Sequence, residues 1–145
     1  MKRKALIFGA TGLTGSFLVE QLCDSEVYEE VVSFSRRRIS FEHPKLRELI
    51  SDLKNPEEIK TEITGDDLFC CLGTTIKKAG NKKNFRHVDH DLPVALSKIA
   101  EQNKIKRFLV ISSIGANSKS SNFYLRTKGE MEDAVLDASI PQISV

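Results

Sequence analysis

The chain has 145 residues, of which 40% are hydrophobic and 29% are charged, and this composition is typical of a single globular domain. A net charge of +2 is too small to indicate a nucleic-acid or membrane partner, and no apolar stretch is long enough to span a bilayer. Three cysteines, with Cys70 and Cys71 adjacent, are not typical of a disulfide framework, so we expect a reducing, cytoplasmic location.

Short apolar runs alternate with helical patterns along the chain. In chain order, the patterns predict a strand at 5–8, a helix at 13–23, strands at 30–35 and 46–50, a helix starting at Asn55-Pro56-Glu57-Glu58, a strand at 67–72, a helix at 89–102, a strand at 107–112, a helix at 121–138 and a strand at 141–145. Pro93 is expected in the first turns of its helix, where proline is tolerated.

Strands that are apolar throughout and separated by helices predict a parallel sheet covered on both faces. Right-handed crossovers make this a Rossmann-type doubly wound α/β fold, with an expected strand order of 3-2-1-4-5-6. Ligands of such sheets bind at the carboxyl ends of the strands. The segments that carry chemistry fall there, at 9–15, 35–38, 72–75 and 112–116.

The segment Gly9-Ala10-Thr11-Gly12-Leu13-Thr14-Gly15 follows the first strand and opens the first helix. Gly9 permits a tight turn, Gly12 lets the backbone approach a pyrophosphate, and Gly15 lets the helix pack close to the sheet. The free amide groups and the helix dipole would then face the phosphates. The segment predicts a dinucleotide site, with a structural turn that binds no ligand as the alternative.

The second strand is followed by Ser35-Arg36-Arg37-Arg38. A site that prefers NAD usually has an acid at this point, which would repel a 2′-phosphate. Guanidinium groups bind a phosphate bidentately. We therefore expect NADP(H) rather than NAD(H), with a solvated basic turn as the alternative.

Tyr124 and Lys128 are four residues apart, so they share one face of the last predicted helix. The charge of Lys128 would favour the phenolate form of Tyr124, and its side chain could hold the nicotinamide ribose. Tyr124 could then exchange a proton with a substrate oxygen. Ser112 or Ser113 could hydrogen-bond a carbonyl and orient it. The spacing alone is weak evidence, because a surface pair would show it too.

Two other features predict no site. The basic segment 77–83 is interpreted as a solvated loop, because it lacks the aromatic partners of a nucleic-acid surface. His87 and His90 are three residues apart, but no further ligands accompany them, so we expect no metal site.

Together these residues resemble the short-chain dehydrogenase/reductase superfamily, and more narrowly its atypical branch, which contains the Tat-interactive oxidoreductase and related bacterial NAD(P)H-binding proteins. The resemblance runs nearly the full length of the chain, through residues 9–15, 36–37, 69–75, 88–89, 112–116, 120–124 and 128–130. The Cys-Cys-Leu-Gly-Thr-Thr and Ser-Ser-Asn-Phe segments are specific to this branch.

The resemblance implies roles for particular residues. It places the cofactor phosphates at Thr11, Gly12, Leu13 and Thr14 between Gly9 and Gly15, the 2′-phosphate at Arg36 and Arg37, adenine near Asp52 and Leu53, and ribose and pyrophosphate beside Leu72 and Gly73. Tyr124 would be the proton donor or acceptor, and Lys128 would contact the nicotinamide ribose. Ser113 is preferred over Ser112 as the carbonyl-orienting hydroxyl.

The resemblance implies an NADP(H)-dependent oxidoreductase that acts on a small carbonyl or alcohol. Relatives continue through an Arg-Pro-Gly segment and helices that roof the substrate pocket, whereas this sequence stops at Val145. Residues 1–145 are therefore expected to be an NADP-binding Rossmann domain, truncated before the substrate-pocket segment. A regulator that senses NADPH and binds a protein partner without turnover is the alternative, and a homo-oligomer stays open.

Overall fold

The computed structural model describes residues 2–145 and contains one six-stranded parallel sheet. Its strands are β1 (Arg3–Phe8), β2 (Tyr28–Ser35), β3 (Leu46–Ile50), β4 (Asp67–Cys70), β5 (Arg107–Val110) and β6 (Gln142–Ser144). Their spatial order is β3-β2-β1-β4-β5-β6, with each neighbouring pair parallel, which confirms the predicted doubly wound fold. The order reverses between β1 and β4, and ligands of open parallel sheets bind at such a reversal.

Five α-helices and two other helical segments connect the strands. The α-helices are α1 (Leu13–Asp24), α2 (Ile76–Ala79), α3 (Lys82–Arg86), α4 (Leu92–Gln102) and α5 (Phe123–Leu136). The predicted helix start at Asn55 is confirmed, because its side chain accepts a hydrogen bond from the Glu57 N–H at 3.2 Å. This segment is a 3-10 helix, Pro56–Glu62. None of the helices within residues 2–145 is long and apolar enough to cross a membrane.

Alternate residues of each strand supply the two faces of the sheet. On β1, Leu6 and Phe8 belong to a large core cluster that α4 and α5 cover, whereas Ala5 and Ile7 belong to a smaller cluster under α1. The rings of Phe8 and Phe34 stack with centroids 4.5 Å apart in the larger cluster. Burial of this apolar surface is the main contribution to the stability of the sheet.

The amino ends of the strands are held by Asp67, which is completely buried. The Tyr28 hydroxyl donates to its carboxylate at 2.7 Å, and the Arg3 guanidinium forms an ion pair with it. Burial and the hydrogen bond to Asp67 raise the pKa of Tyr28 well above its usual value. This cluster joins β1, β2 and β4 at the end of the sheet opposite the expected ligand site.

Helical structure before β5 begins earlier than the predicted residue 89. The Asn81 side chain accepts a hydrogen bond from the Asn84 N–H at 2.8 Å and so caps α3. A π-helical turn, His87–Asp91, then joins α3 to α4. Pro93 has no N–H and cannot donate a helical hydrogen bond. The π-helical turn just before it accommodates the lost hydrogen bond, so the helix continues through the proline.

The prediction of a loop at 77–83 is wrong, because capping residues begin and end short helices in this segment too. Thr75 accepts a hydrogen bond from the Lys78 N–H at 3.1 Å and caps α2, and Gly80 ends that helix with φ of 92°. The prediction was based on the lysines of this segment and did not consider the capping residues Thr75 and Gly80. β4 and β5 also end two residues before the predicted ends, at Cys70 and Val110.

An apolar groove of about 640 Å³ lies between α1 and the strands β4, β5 and β6. Two residues of α1, Leu13 and Phe17, line it and are 79% and 63% exposed. Ile111 and Val145 line its other side. Within residues 2–145, the sheet is therefore less well covered on the α1 face than on the α4–α5 face.

Candidate functional site

The loop after β1 and the first turn of α1 each contain a glycine that the fold itself requires. Gly9 has φ of 90°, and a Cβ there would lie 2.6 Å from the Cys71 carbonyl oxygen. A Cβ at Gly15 would lie 2.0 Å from the Gly9 carbonyl oxygen. These contacts draw the loop tightly against the start of α1 and against the chain that follows β4.

Gly12 differs from Gly9 and Gly15. It is the N-cap residue of α1, with φ of −81°, and the nearest atom to a Cβ there would be the Gly9 carbonyl oxygen at 3.5 Å. The described chain therefore has room for a side chain at Gly12, which is exposed. A glycine here leaves the N-terminus of α1 open, so that a phosphate can reach the amides of the first turn.

A cavity of about 280 Å³ lies beside this loop, between α1 and the turn that follows β2. Thr11, Arg37 and Arg38 contribute to its lining, together with Glu20. The Ser35 hydroxyl donates to the Arg37 carbonyl oxygen at 2.7 Å and shapes the turn. The cavity brings the predicted Arg37 next to the glycine loop and adds Arg38, which the resemblance did not assign.

Arg36, the other predicted arginine, is exposed and is not part of the cavity lining. Arg37 and Arg38 are also exposed, so each guanidinium is free to move toward an anion. A turn places successive side chains in different directions, which the order of residues in the sequence does not show. This is why the 2′-phosphate was assigned to Arg36 and Arg37 and not to Arg38, although Arg38 belongs to the same basic run.

The residues expected near adenine follow β3. The Ser51 N–H donates to the Ser35 carbonyl oxygen at 2.9 Å, which keeps this segment beside the end of β2. Asp52 is exposed and accepts a hydrogen bond from the Lys54 N–H at 3.0 Å. Leu53 has φ of 58°, unusual for a residue with a side chain, and packs into the large core.

The loop after β4 lies against the glycine loop. The Cys71 N–H donates to the Phe8 carbonyl oxygen at 2.8 Å, so the chain stays beside β1 beyond the end of β4. Leu72 is half-buried and Gly73 is exposed. The Thr74 N–H then donates to a carboxylate oxygen of Asp89, Oδ2, at 3.0 Å.

Helix α5 carries the predicted Tyr124 and Lys128. Tyr124 is half-buried, and its ring lies 5.4 Å from that of the buried Phe85. Lys128 is only 3% exposed, and its Nζ lies 3.2 Å from Asp89 Oδ1. Nζ also donates to the Ile111 carbonyl oxygen at 3.4 Å. Lys128 therefore lies at the carboxyl end of β5.

The two candidate serines differ in their surroundings. The Ser112 hydroxyl is buried and has no hydrogen-bond partner among the residues that the structure describes. The Ser113 hydroxyl donates to the Ile114 carbonyl oxygen at 3.3 Å, a long and weak contact. Both serines follow Ile111 directly, so the Lys128 ammonium lies beside the segment that carries them.

Comparison with known proteins agrees with this arrangement. A family model described as NAD(P)H-binding matches residues 9–140. The chain belongs to the NAD(P)H-binding family.

Two curated relatives of this NAD(P)H-binding chain cover nearly all of it. Protein HTATIP2 of Rattus norvegicus is 33% identical over 147 residues, which is 99% of this chain and 60% of the rat protein. Protein FMP52, mitochondrial, of Candida albicans is 34% identical over 135 residues, 90% of this chain and 59% of its own length. The chain thus spans about three-fifths of these relatives.

A solved structure shows the same fold. A short-chain dehydrogenase/reductase superfamily protein from Agrobacterium tumefaciens, with bound NAD, has a TM-score of 0.79 at 16% identity. The match covers 97% of this chain and 48% of that protein. The predicted resemblance to this superfamily is confirmed, and the chain has the fold of NAD(P)H-binding oxidoreductases.

The expected cytoplasmic location, which was deduced from the cysteines, is wrong. FMP52, at 34% identity, is named as a mitochondrial protein. The three cysteines of this chain are free thiols, and a reducing mitochondrial compartment suits free thiols as well as the cytosol does. The cysteine pattern therefore does not distinguish the two compartments.

Proposed function

We propose that the chain is the cofactor-binding part of an NADP(H)-dependent oxidoreductase that acts on a small carbonyl or alcohol. The cavity beside the glycine loop carries this proposal. It places Arg37 and Arg38 next to Thr11, where a dinucleotide held at the α1 N-terminus would present its adenosine ribose. Two guanidinium groups there favour a 2′-phosphate over free hydroxyls.

The other predicted residues supply the rest of the chemistry. When bound, the nicotinamide ring supplies or accepts the hydride. The Tyr124 phenol gives a proton to the substrate oxygen during reduction, or takes it during oxidation. The hydroxyl of Ser113, or of Ser112, donates to the same oxygen and fixes its orientation. Lys128 adds a positive charge at the ribose end of the site.

A second candidate is a regulator that binds NADPH without turnover. Its support is the position of the Lys128 ammonium, which Asp89 and the Ile111 carbonyl already hold. In a regulator this pair would transmit cofactor binding to a protein partner. Tight NADPH binding, together with no NADPH consumption across a broad panel of aldehydes and ketones, would favour the regulator over the enzyme.

The variant Tyr124→Phe tests the enzyme directly. Because the phenol is proposed to carry the proton, we expect NADPH consumption with a responsive carbonyl to fall at least about 100-fold. The dissociation constant for NADPH should change little, since the ring remains. NADPH absorbance measures the turnover, and fluorescence titration measures the dissociation constant.

The matched control is Tyr28→Phe, which removes a tyrosine hydroxyl at the opposite end of the sheet. We expect it to lower stability, because the buried Asp67 loses a partner, and to leave turnover per folded molecule unchanged. Turnover that survives in Tyr124→Phe would contradict the proposed role of Tyr124.

A further inference from the structure

A buried aspartate connects two parts of the site, and the resemblance gives it no role. Asp89 is 1% exposed and Lys128 is 3% exposed, with Oδ1 and Nζ 3.2 Å apart. The second carboxylate oxygen accepts the Thr74 N–H from the loop after β4. A single carboxylate thus links the loop after β4 to helix α5.

Each of the two buried charges destabilises the fold unless its partner is present. Burial raises the pKa of Asp89 above its usual range, while the Lys128 ammonium and the Thr74 N–H act in the opposite direction. A buried ammonium likewise needs a counter-charge, and the Ile111 carbonyl supplies only a dipole. Removal of the carboxylate would therefore leave Lys128 buried without a compensating charge.

The local backbone explains how Asp89 reaches this position. Asp89 lies within the π-helical turn His87–Asp91, between α3 and α4. The extra residue in such a turn changes the direction of the side chains that it carries, and π-helical turns are frequent at functional sites. The neighbouring Asp91 is exposed on the same turn, so these two aspartates have opposite environments.

The other titratable groups around the pair differ from it in charge or in exposure. Burial raises the pKa of the Cys70 thiol on β4 to about 12, so it stays neutral near neutral pH. On the turn itself, His90 Nδ1 lies 2.8 Å from Asp91. The packed helices also carry His87, which is paired with Asp91, and the Arg86–Glu130 ion pair. Their other titratable groups are half-buried (Tyr124, Arg126 and Glu132) or exposed (Lys82, Lys83, Lys98, Glu101 and Asp133).

We propose that Asp89 is a positioning residue, which fixes the Lys128 ammonium and the loop after β4 in the arrangement that receives the cofactor. This inference rests on the proposed function. Asp89 acts through Lys128 and Thr74. Its charge, and not only its hydrogen bonds, is what holds the ammonium in a buried site.

The first experiment compares Asp89→Asn with the matched control Asp91→Asn. NADPH affinity, measured by fluorescence titration, should fall about tenfold or more in Asp89→Asn and stay unchanged in Asp91→Asn. Lys128→Met should lose affinity to a similar extent. The double variant Asp89→Asn/Lys128→Met should lose no more NADPH affinity than Lys128→Met alone, because both substitutions disrupt the same ion pair.

The pH dependence of stability, measured without cofactor, distinguishes the effect of the Asp89 charge from the effect of its side-chain shape. In Asp89→Asn, burial would favour the neutral form of Lys128, so the folded chain would bind fewer protons than the unfolded chain. Its stability relative to the native chain, measured by thermal unfolding, should then increase with pH up to the ordinary pKa of lysine, about 10.4. A stability deficit that does not change with pH would overturn the proposed role of the charge.

A measurement on the native chain covers the case in which Asp89→Asn does not fold. The ¹⁵Nζ resonance of Lys128, assigned by its loss in Lys128→Met, should shift when NADPH saturates the site. Native affinity in Asp89→Asn would overturn this proposal and leave the proposed function standing. An unshifted resonance would overturn this proposal and also the role of Lys128 in the proposed function. A native chain that binds neither NADPH nor NADH would overturn both.

Discussion

Gly12 is the N-cap of α1 and Gly15 lies in its first turn, and they lack a side chain for different reasons. At Gly15 a Cβ would meet the Gly9 carbonyl oxygen at 2.0 Å, so the close packing of α1 excludes it. At Gly12 the nearest protein atom would be 3.5 Å away, an ordinary contact. Glycine suits this N-cap position, and we infer that it also leaves the backbone open to a ligand.

This difference predicts opposite outcomes for two alanine variants. Gly12→Ala should keep the native melting temperature within a few degrees and weaken NADPH binding, because its methyl group projects where the phosphates approach. Gly15→Ala should lower the melting temperature strongly, since backbone would have to move. Thermal unfolding and NADPH titration of both variants check this. Native NADPH affinity in Gly12→Ala would contradict the phosphate site.

Single residues also show where sequence reasoning stops. Each glycine in the segment 9–15 has a conformational reason that can be stated from the sequence, so the sequence alone is enough to predict the loop. Asp89 lies 39 residues from Lys128 in the sequence, and nothing local marks them as an ion pair. The cavity position of Arg38 depends on the path of a turn, which composition does not determine.

At the scale of elements, the sheet was predicted more accurately than the helix ends. Apolar runs located β1, β2, β4 and β5, because burial on both faces requires them. β3 and β6 are only partly buried, and their sequence patterns are weaker. Helix ends depend on single capping side chains and on how a proline is accommodated. Asn81 extends the helical run back to α3, and the π-helical turn before Pro93 keeps that run continuous.

The cap of α5 gives a prediction at this scale. The Asn122 side chain accepts a hydrogen bond from the Leu125 N–H at 3.0 Å at the start of the helix that carries Tyr124 and Lys128. Asn122→Ala should lower the free energy of unfolding by about 1 kcal/mol. Chemical denaturation measures it, with the exposed Ser121→Ala as the control. Equal stability in the two variants would contradict the capping role.

At the scale of the whole molecule, the reversal of strand order brings the site together. The loops after β1, β2, β4 and β5 lie at one edge and contain most of the predicted cofactor residues, whereas the predicted Tyr124 and Lys128 lie on α5. The apolar groove between α1 and β4–β6 lies beside this edge. The substrate itself could not be predicted, because nothing in these loops distinguishes one carbonyl compound from another.

The central claim is that this edge binds a dinucleotide with a 2′-phosphate, and calorimetric titration of NADPH against NADH tests it most directly. We predict that the native chain binds NADPH about tenfold or more tightly than NADH, because charged hydrogen bonds to the extra phosphate add affinity. Arg37→Ala should remove most of that preference, and Arg36→Ala, outside the cavity lining, should remove less. Equal or tighter binding of NADH by the native chain would contradict the account.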